Sequence, residues 1–239
     1  MNKRTLKAAA VALALLAPLP VAAQDDLSNV IVTGSRSDRS GSDFYDEDQS
    51  AIGLTRKADF FVKPIYVSSD SRDATQRRDE LLAMLRATIE RAGAAGITLV
   101  AGDYTLTPVT AARIAELSIG SGNRPDTSRV QIYARIPVSS SVDRVKVADE
   151  RITALVKSVP ATGRSYIEMG STVLGLSNPD QYRLAVVKAI ADEAKRYASQ
   201  FGPDYGIEIR GLDSELYWQQ ASESEVFLYI EHNFVIRPK

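Results

Sequence analysis

Val130-Gln131-Ile132-Tyr133-Ala134-Arg135-Ile136-Pro137-Val138 alternates apolar and other residues, with Val130, Ile132, Ala134, Ile136 and Val138 on one face. A period of two is that of a β-strand with one face in the core. Downstream, Val145, Ala148, Ile152 and Leu155 recur at helical spacing before Pro160, so the strand hands over to an amphipathic helix. Upstream lies a β-rich run, Phe60, Phe61, Val62, Ile65, Tyr66 and Val67. A charged helix pattern follows it from about Arg72 to Ala92, with Leu82, Leu85 and Ile89 on its apolar side. Gly93 and Gly96 end that helix, and Ile97 to Thr107 reads as a returning strand. Strands and helices interleaved in this way indicate a protein of mixed, α/β type.

Farther out, Ser165 to Leu176 reads as a strand, and Asn178 opens the best-specified helix. Asn178 stands as cap, Pro179 as first helical residue and Gln181 three after the cap, with Gly202-Pro203 as the stop. Leu184, Val187, Ala191, Ala194, Ala198 and Phe201 are its expected core face, and Lys195 its wet face. The chain closes on a long alternating strand. Val226, Leu228, Ile230, Phe234 and Ile236 share one side, and Phe227, Tyr229 and Val235 share the other. A strand apolar on both sides needs cover twice, so the row Phe227, Tyr229, Val235 is the expected self-association surface.

The amino-terminal end has a different character. Lys3, Arg4 and Lys7 precede the apolar run from Ala8 to Ala23, and Val21-Ala22-Ala23 supplies the small residues a signal peptidase reads. The run is broken by Pro18 and Pro20 and is shorter than the roughly 20 residues that cross a bilayer, so residues 1–23 read as a cleaved signal peptide. That predicts a periplasmic or secreted protein with no transmembrane segment after cleavage. Residues 24–56 are rich in Asp, Ser and Gly and read as a flexible lead; residues 57–239 form the folded domain.

Composition narrows the chemistry. Among 239 residues, 44% hydrophobic, Lys and Arg number 29 against 30 Asp and Glu, so no basic excess points to nucleic acid. With no Cys and a single His, thiolate metal sites, iron–sulfur clusters and Cys nucleophiles are excluded, and no cofactor is implied. No Gly-x-Ser-x-Gly elbow occurs, and Gly120-Ser121-Gly122 lacks the third glycine of a phosphate loop. His232 shares parity with the apolar face of the last strand and reads as a packed residue. Tyr217 and Trp218 are adjacent and so point to opposite faces, which argues against a joint stacking platform. No catalytic, cofactor-binding or metal-binding residue is assigned.

Several local phrases carry a family resemblance: Ala94-Ala95-Gly96-Ile97-Thr98 running into Asp103-Tyr104-Thr105-Leu106-Thr107-Pro108, then Tyr133-Ala134-Arg135-Ile136-Pro137-Val138, Asn178-Pro179-Asp180, the Ala-spaced helix and the final alternating strand. Over about residues 57 to 238 the chain resembles the bacterial SIMPL-domain (DUF541) envelope proteins. The resemblance implies an α+β fold, antiparallel sheet with amphipathic helices packed on it, a periplasmic or outer-membrane-associated place in a Gram-negative envelope, oligomeric assembly and a link to stress tolerance without enzymatic activity. A second phrase, Val30-Ile31-Val32-Thr33-Gly34-Ser35-Arg36, resembles the start of mature TonB-dependent receptors. A short β-prone run can add to an exposed sheet edge of an envelope protein partner, which makes Val30, Ile31, Val32, Thr33 and Gly34 candidate partner-binding residues. The alternative is that the triplet docks on its own domain. The leading expectation is therefore a non-enzymatic envelope protein acting through self-assembly, as a homo-oligomer, or through contacts with an envelope protein partner. An adaptor of TonB-type machinery and a hydrolase with an unrecognised acidic site remain as alternatives.

Overall fold

The computed structural model describes residues 30–33, 52–102, 106–122 and 124–239. In chain order the strands are β1 (Val30–Thr33), β2 (Gly53–Lys57), β3 (Phe60–Ser69), β4 (Thr98–Ala101), β5 (Thr107–Pro108), β6 (Gly120–Ser121), β7 (Ser128–Pro137), β8 (Ser165–Met169), β9 (Val173–Ser177), β10 (Tyr205–Arg210), β11 (Leu216–Gln220), β12 (Glu225–Ile230) and β13 (Asn233–Pro238). The helices are α1 (Ala74–Ala94), α2 (Val145–Ser158) and α3 (Arg183–Gln200). Among the described residues every strand pairing is antiparallel, so the fold is α+β as expected.

β3 organises the large sheet. Along its whole length it pairs with β7, from Phe60 opposite Pro137 to Ser69 opposite Ser128. Its other edge is shared, with β9 beside Phe60–Val62 and β8 beside Ile65–Ser69. The sheet runs β1-β9-β3-β7-β4-β5, and β6 adds to β7. Because successive side chains alternate, Phe61, Ile65 and Val67 join Leu81, Met84 and Leu85 of α1 and Ala148, Ile152 and Leu155 of α2 in the main core. Phe60 and Val62 face the other way and pack with Val100 and Leu106 in a smaller cluster. Arg135 lies over the Phe60 ring at 4.3 Å, covering that second face with a guanidinium instead of a helix.

One charge breaks the apolar side of β3. Lys63 is 5% exposed, and its Nζ sits 2.5 Å from Asp149 Oδ1 on α2. Asp149 also accepts from Thr172 Oγ1, and these donors, Lys63 first, hold its carboxyl below the usual range. A buried ammonium without its carboxylate would be costly, so the pair fixes where α2 sits on the sheet.

The rest of the chain builds a second, smaller sheet, β11-β12-β2, and a separate β10-β13 pair. α3 lies against β2, β10 and β12 through Val186, Ile190 and Ala194. Val186 and Ile190, with Leu216, Trp218, Val226, Leu228 and Ile230, belong to the same continuous core as the helices of the large sheet. The corner between sheets is the β2–β3 junction. There Asp59 accepts from Arg56 Nη2 at 3.0 Å and from Ser177 N at 2.7 Å, and Arg56 stacks on Tyr182.

Several sequence expectations are corrected. Residues 53–56, assigned to the lead, are strand β2, because their partner β12 lies far along the chain. The run from Ser165 to Leu176 is two strands, β8 and β9, each pairing a different part of β3. The expected Ile97–Thr107 strand is likewise short, β4 and β5. Asn178 adopts φ 42° and makes no side-chain cap; Pro179–Tyr182 is a 3-10 turn, and Gln181 Nε2 donates backwards to Ser177 O. The buried stripe of α3 is Val186, Ile190 and Ala194, while Leu184 is 80% and Phe201 54% exposed. Two apolar stripes compete on this helix, and the one that meets β2 and β12 wins. The final strand is two strands, divided at Glu231–His232, and β13 leaves β12 to pair with β10. The signal peptide of residues 1–23 lies outside the described residues.

Candidate interaction surface

β12 alternates strictly in burial: Val226, Leu228 and Ile230 are buried, and Glu225, Phe227 and Tyr229 are half-buried on the side away from α3. Pairing with β11 sets Tyr217 directly opposite Tyr229 and Gln219 opposite Phe227. The rings form a ladder. Tyr217 and Tyr229 stack with centroids 5.6 Å apart, and Tyr229 and Phe227 stack at 5.9 Å. Cross-strand aromatic pairs of this kind add about 0.5–1.5 kcal/mol beyond area burial.

Gly53 of β2 makes room for the ladder. It stands opposite Tyr229, and a Cβ there would lie 2.2 Å from Leu228 O and 2.5 Å from Phe227 Cζ, so any side chain would collide with both the β12 backbone and the ring. At the open end Glu225 of β12 stands opposite Lys57 of β2. The surface is thus a half-buried aromatic strip, Tyr217, Tyr229 and Phe227, flanked by amide and hydroxyl groups of Gln219 and Thr55 and ending in one cation beside one anion.

Of the expected row, Phe227 and Tyr229 come together, whereas Val235 does not. It lies on β13 opposite Glu208, whose carboxylate pairs with Arg210 and Arg237. The physical reason is the break at Glu231–His232, which hands the chain to another sheet. Tyr217 completes the strip and was missed. Its outward parity relative to Trp218 was readable, but its position opposite Tyr229 depends on pairing that only the folded chain displays.

The candidate partner-binding strand is also placed. Val30, Ile31, Val32 and Thr33 form β1 and pair with Ser177, Leu176, Gly175 and Leu174 of this chain's own β9. Gly34 lies outside the described residues. This is the docking on its own domain that stood as the alternative to partner addition.

Other candidates read as structural. His232 Nδ1 lies 2.7 Å from Ile230 O, and the ring packs on Phe234 at 5.1 Å. Glu80 of α1 is buried and accepts from Ser69 Oγ, Ser71 Oγ, Gln76 Nε2 and Arg164 N at 2.7–3.1 Å. These hydrogen bonds, that from Ser71 foremost, outweigh desolvation and hold its carboxyl down at about 2. It is a clamp joining α1 to the ends of β3 and β8. A depression of about 280 Å³ lies between β4, β5 and β7, lined by Ala101, Thr107, Arg113, Glu116, Gln131 and Tyr133 among others. There Arg113 is paired to Glu116, and Gln131 Nε2 donates to Tyr133 Oη. Among the described residues no group of three or more His, Asp or Glu converges as a metal site, and no helix is long and apolar enough to cross a membrane. Comparison with family models, with curated proteins and with solved structures finds no match to this chain.

Proposed function

We propose that this protein is an exported, SIMPL-like component of the bacterial envelope, linked to stress tolerance, that works by association of its copies instead of by catalysis. The observation that carries this reading is the aromatic ladder Tyr217–Tyr229–Phe227 on the side of the small sheet turned away from the core. Tyrosine-rich strips with a polar rim are the usual centres of protein contacts, since they bury large area at little cost in side-chain entropy. The occupant that fits is a second copy. A two-fold contact brings a surface against itself, and here Lys57 lies beside Glu225, so each copy offers the other a charge of opposite sign.

Light scattering on the exported form tests the reading. The wild-type protein is expected to be larger than a monomer, and Tyr229→Lys to shift it toward monomer, because the lysine is costly only where a partner removes its water. Tyr217→Lys, on the other strand of the ladder, should act in the same direction. Circular dichroism serves as the folding control. A monodisperse wild-type monomer, or folded variants that associate like wild type, would overturn the reading.

A further inference from the structure

β9 is a two-sided strand with unequal partners. On its inner edge Val173–Gly175 pairs with β3, and the pairing is fixed: Gly175 faces Phe60 so closely that a Cβ would overlap the ring. On its outer edge it carries β1, four residues long, which ends the sheet. Without β1 that edge would present the main-chain groups of Leu174, Gly175 and Leu176 unpaired, which is the template for strand addition that soluble proteins keep covered. What covers it is main-chain pairing in an antiparallel register, available equally to the same strand from another copy.

Only the connection distinguishes the two. Residues 34–52 join β1 to β2, and 19 residues reach about 65 Å when extended. Thr33 stands two strand widths, about 10 Å, from Phe61 across Leu174, and the eight-residue step from Gly53 to Phe61 adds at most about 27 Å, so docking on its own domain asks the linker to span at most about 37 Å. The linker is therefore longer than docking on its own domain requires, and long enough to cross to a neighbouring molecule. Once two copies are held together, the neighbour's β9 edge is presented at an effective concentration comparable to that of a chain's own edge.

We infer that Val30–Thr33 is an exchangeable strand, and that in the associated protein it closes the β9 edge of a second copy, each chain lending its strand to the other. The inference rests on the self-association proposed above. A reciprocal exchange of identical elements is closed and two-fold, so it adds main-chain hydrogen bonds between copies without creating a new edge. The Val-Ile-Val-Thr run is then a link between copies.

The chain has no cysteine, so placed thiols report the pairing directly. Val30 and Ser177 are ladder partners. Full-length Val30→Cys and Ser177→Cys proteins, co-expressed and treated with a short bis-maleimide, which adds one thiol at each end, are expected to give a covalent dimer joining one of each, mapped by mass spectrometry. The Val30→Cys/Ser177→Cys double variant is the reference for pairing within one chain. If the double variant closes only on itself and no mixed dimer forms, while light scattering still finds association, strand exchange is overturned and association stands. A monomer by light scattering removes both. A double variant that fails to cross-link at all removes the β1–β9 pairing, and the inference with it.

Discussion

Glu80 shows how a single side chain writes a pH dependence into the fold. Four donors hold its carboxyl at about 2, below its ordinary 4.5, so the unfolded chain takes up the proton first as pH falls. Its contribution is complete above about 4.5 and is lost on descent toward about 2. Glu80→Gln turns an acceptor into a partial donor facing Ser69, Ser71 and the Arg164 N–H, so it should unfold at lower urea than wild type at pH 7. The gap between the two midpoints should narrow at pH 3. A gap independent of pH would mean that the carboxylate charge is not what the clamp uses. Nothing in the spacing of Ser69, Ser71, Glu80 and Arg164 announces this cluster, because its members come from three elements that meet only after folding.

At the level of elements, legibility followed period. The alternation from Val130 to Ile136 appears intact as the buried row of β7, because a half-buried strand leaves its face in the sequence. α3 was readable as a helix but not in its rotation, since Leu184 and Val187 compete with Val186 and Ile190 for the core. Ala194 belongs to both stripes and is 1% exposed. Ala194→Leu should therefore overpack the contact with the small sheet and cost about 1–3 kcal/mol, whereas Lys195→Leu on the exposed side should leave the urea midpoint nearly unchanged. Equal shifts would place the helix in a different rotation. The aromatic strip is half legible in the same sense. Phe227 and Tyr229 follow from parity along one strand, but Val235 was carried past Glu231–His232 by assuming that one strand continues, and Tyr217 needed a partner strand that no local pattern names.

At the scale of the whole molecule, the sheets differ in how much holds them. β3 is bonded along both edges and lies in the main core, whereas among the described residues β10 and β13 pair only with each other, with α3 on their flank and Ile209 and Phe234 at the margin of the core. A two-stranded pair is marginal without such a flank. Opening should therefore be graded, with β3 and β7 surrendering amide protons only on global unfolding and β10 and β13 by a local route of lower free energy. Native-state hydrogen exchange reads this directly; equal protection of Ile65 and Ile207 amides would contradict it.

The handover at Glu231–His232 has a mechanical consequence. β12 and β13 are consecutive in the chain yet belong to different sheets, so tension applied at Lys239 meets the β10–β13 ladder before any strand of the ring-bearing sheet. The carboxyl-terminal strand acts as a fuse. It can peel away and re-form while Tyr217, Tyr229 and Phe227 stay in register, because no ladder bond of their sheet is made by β13.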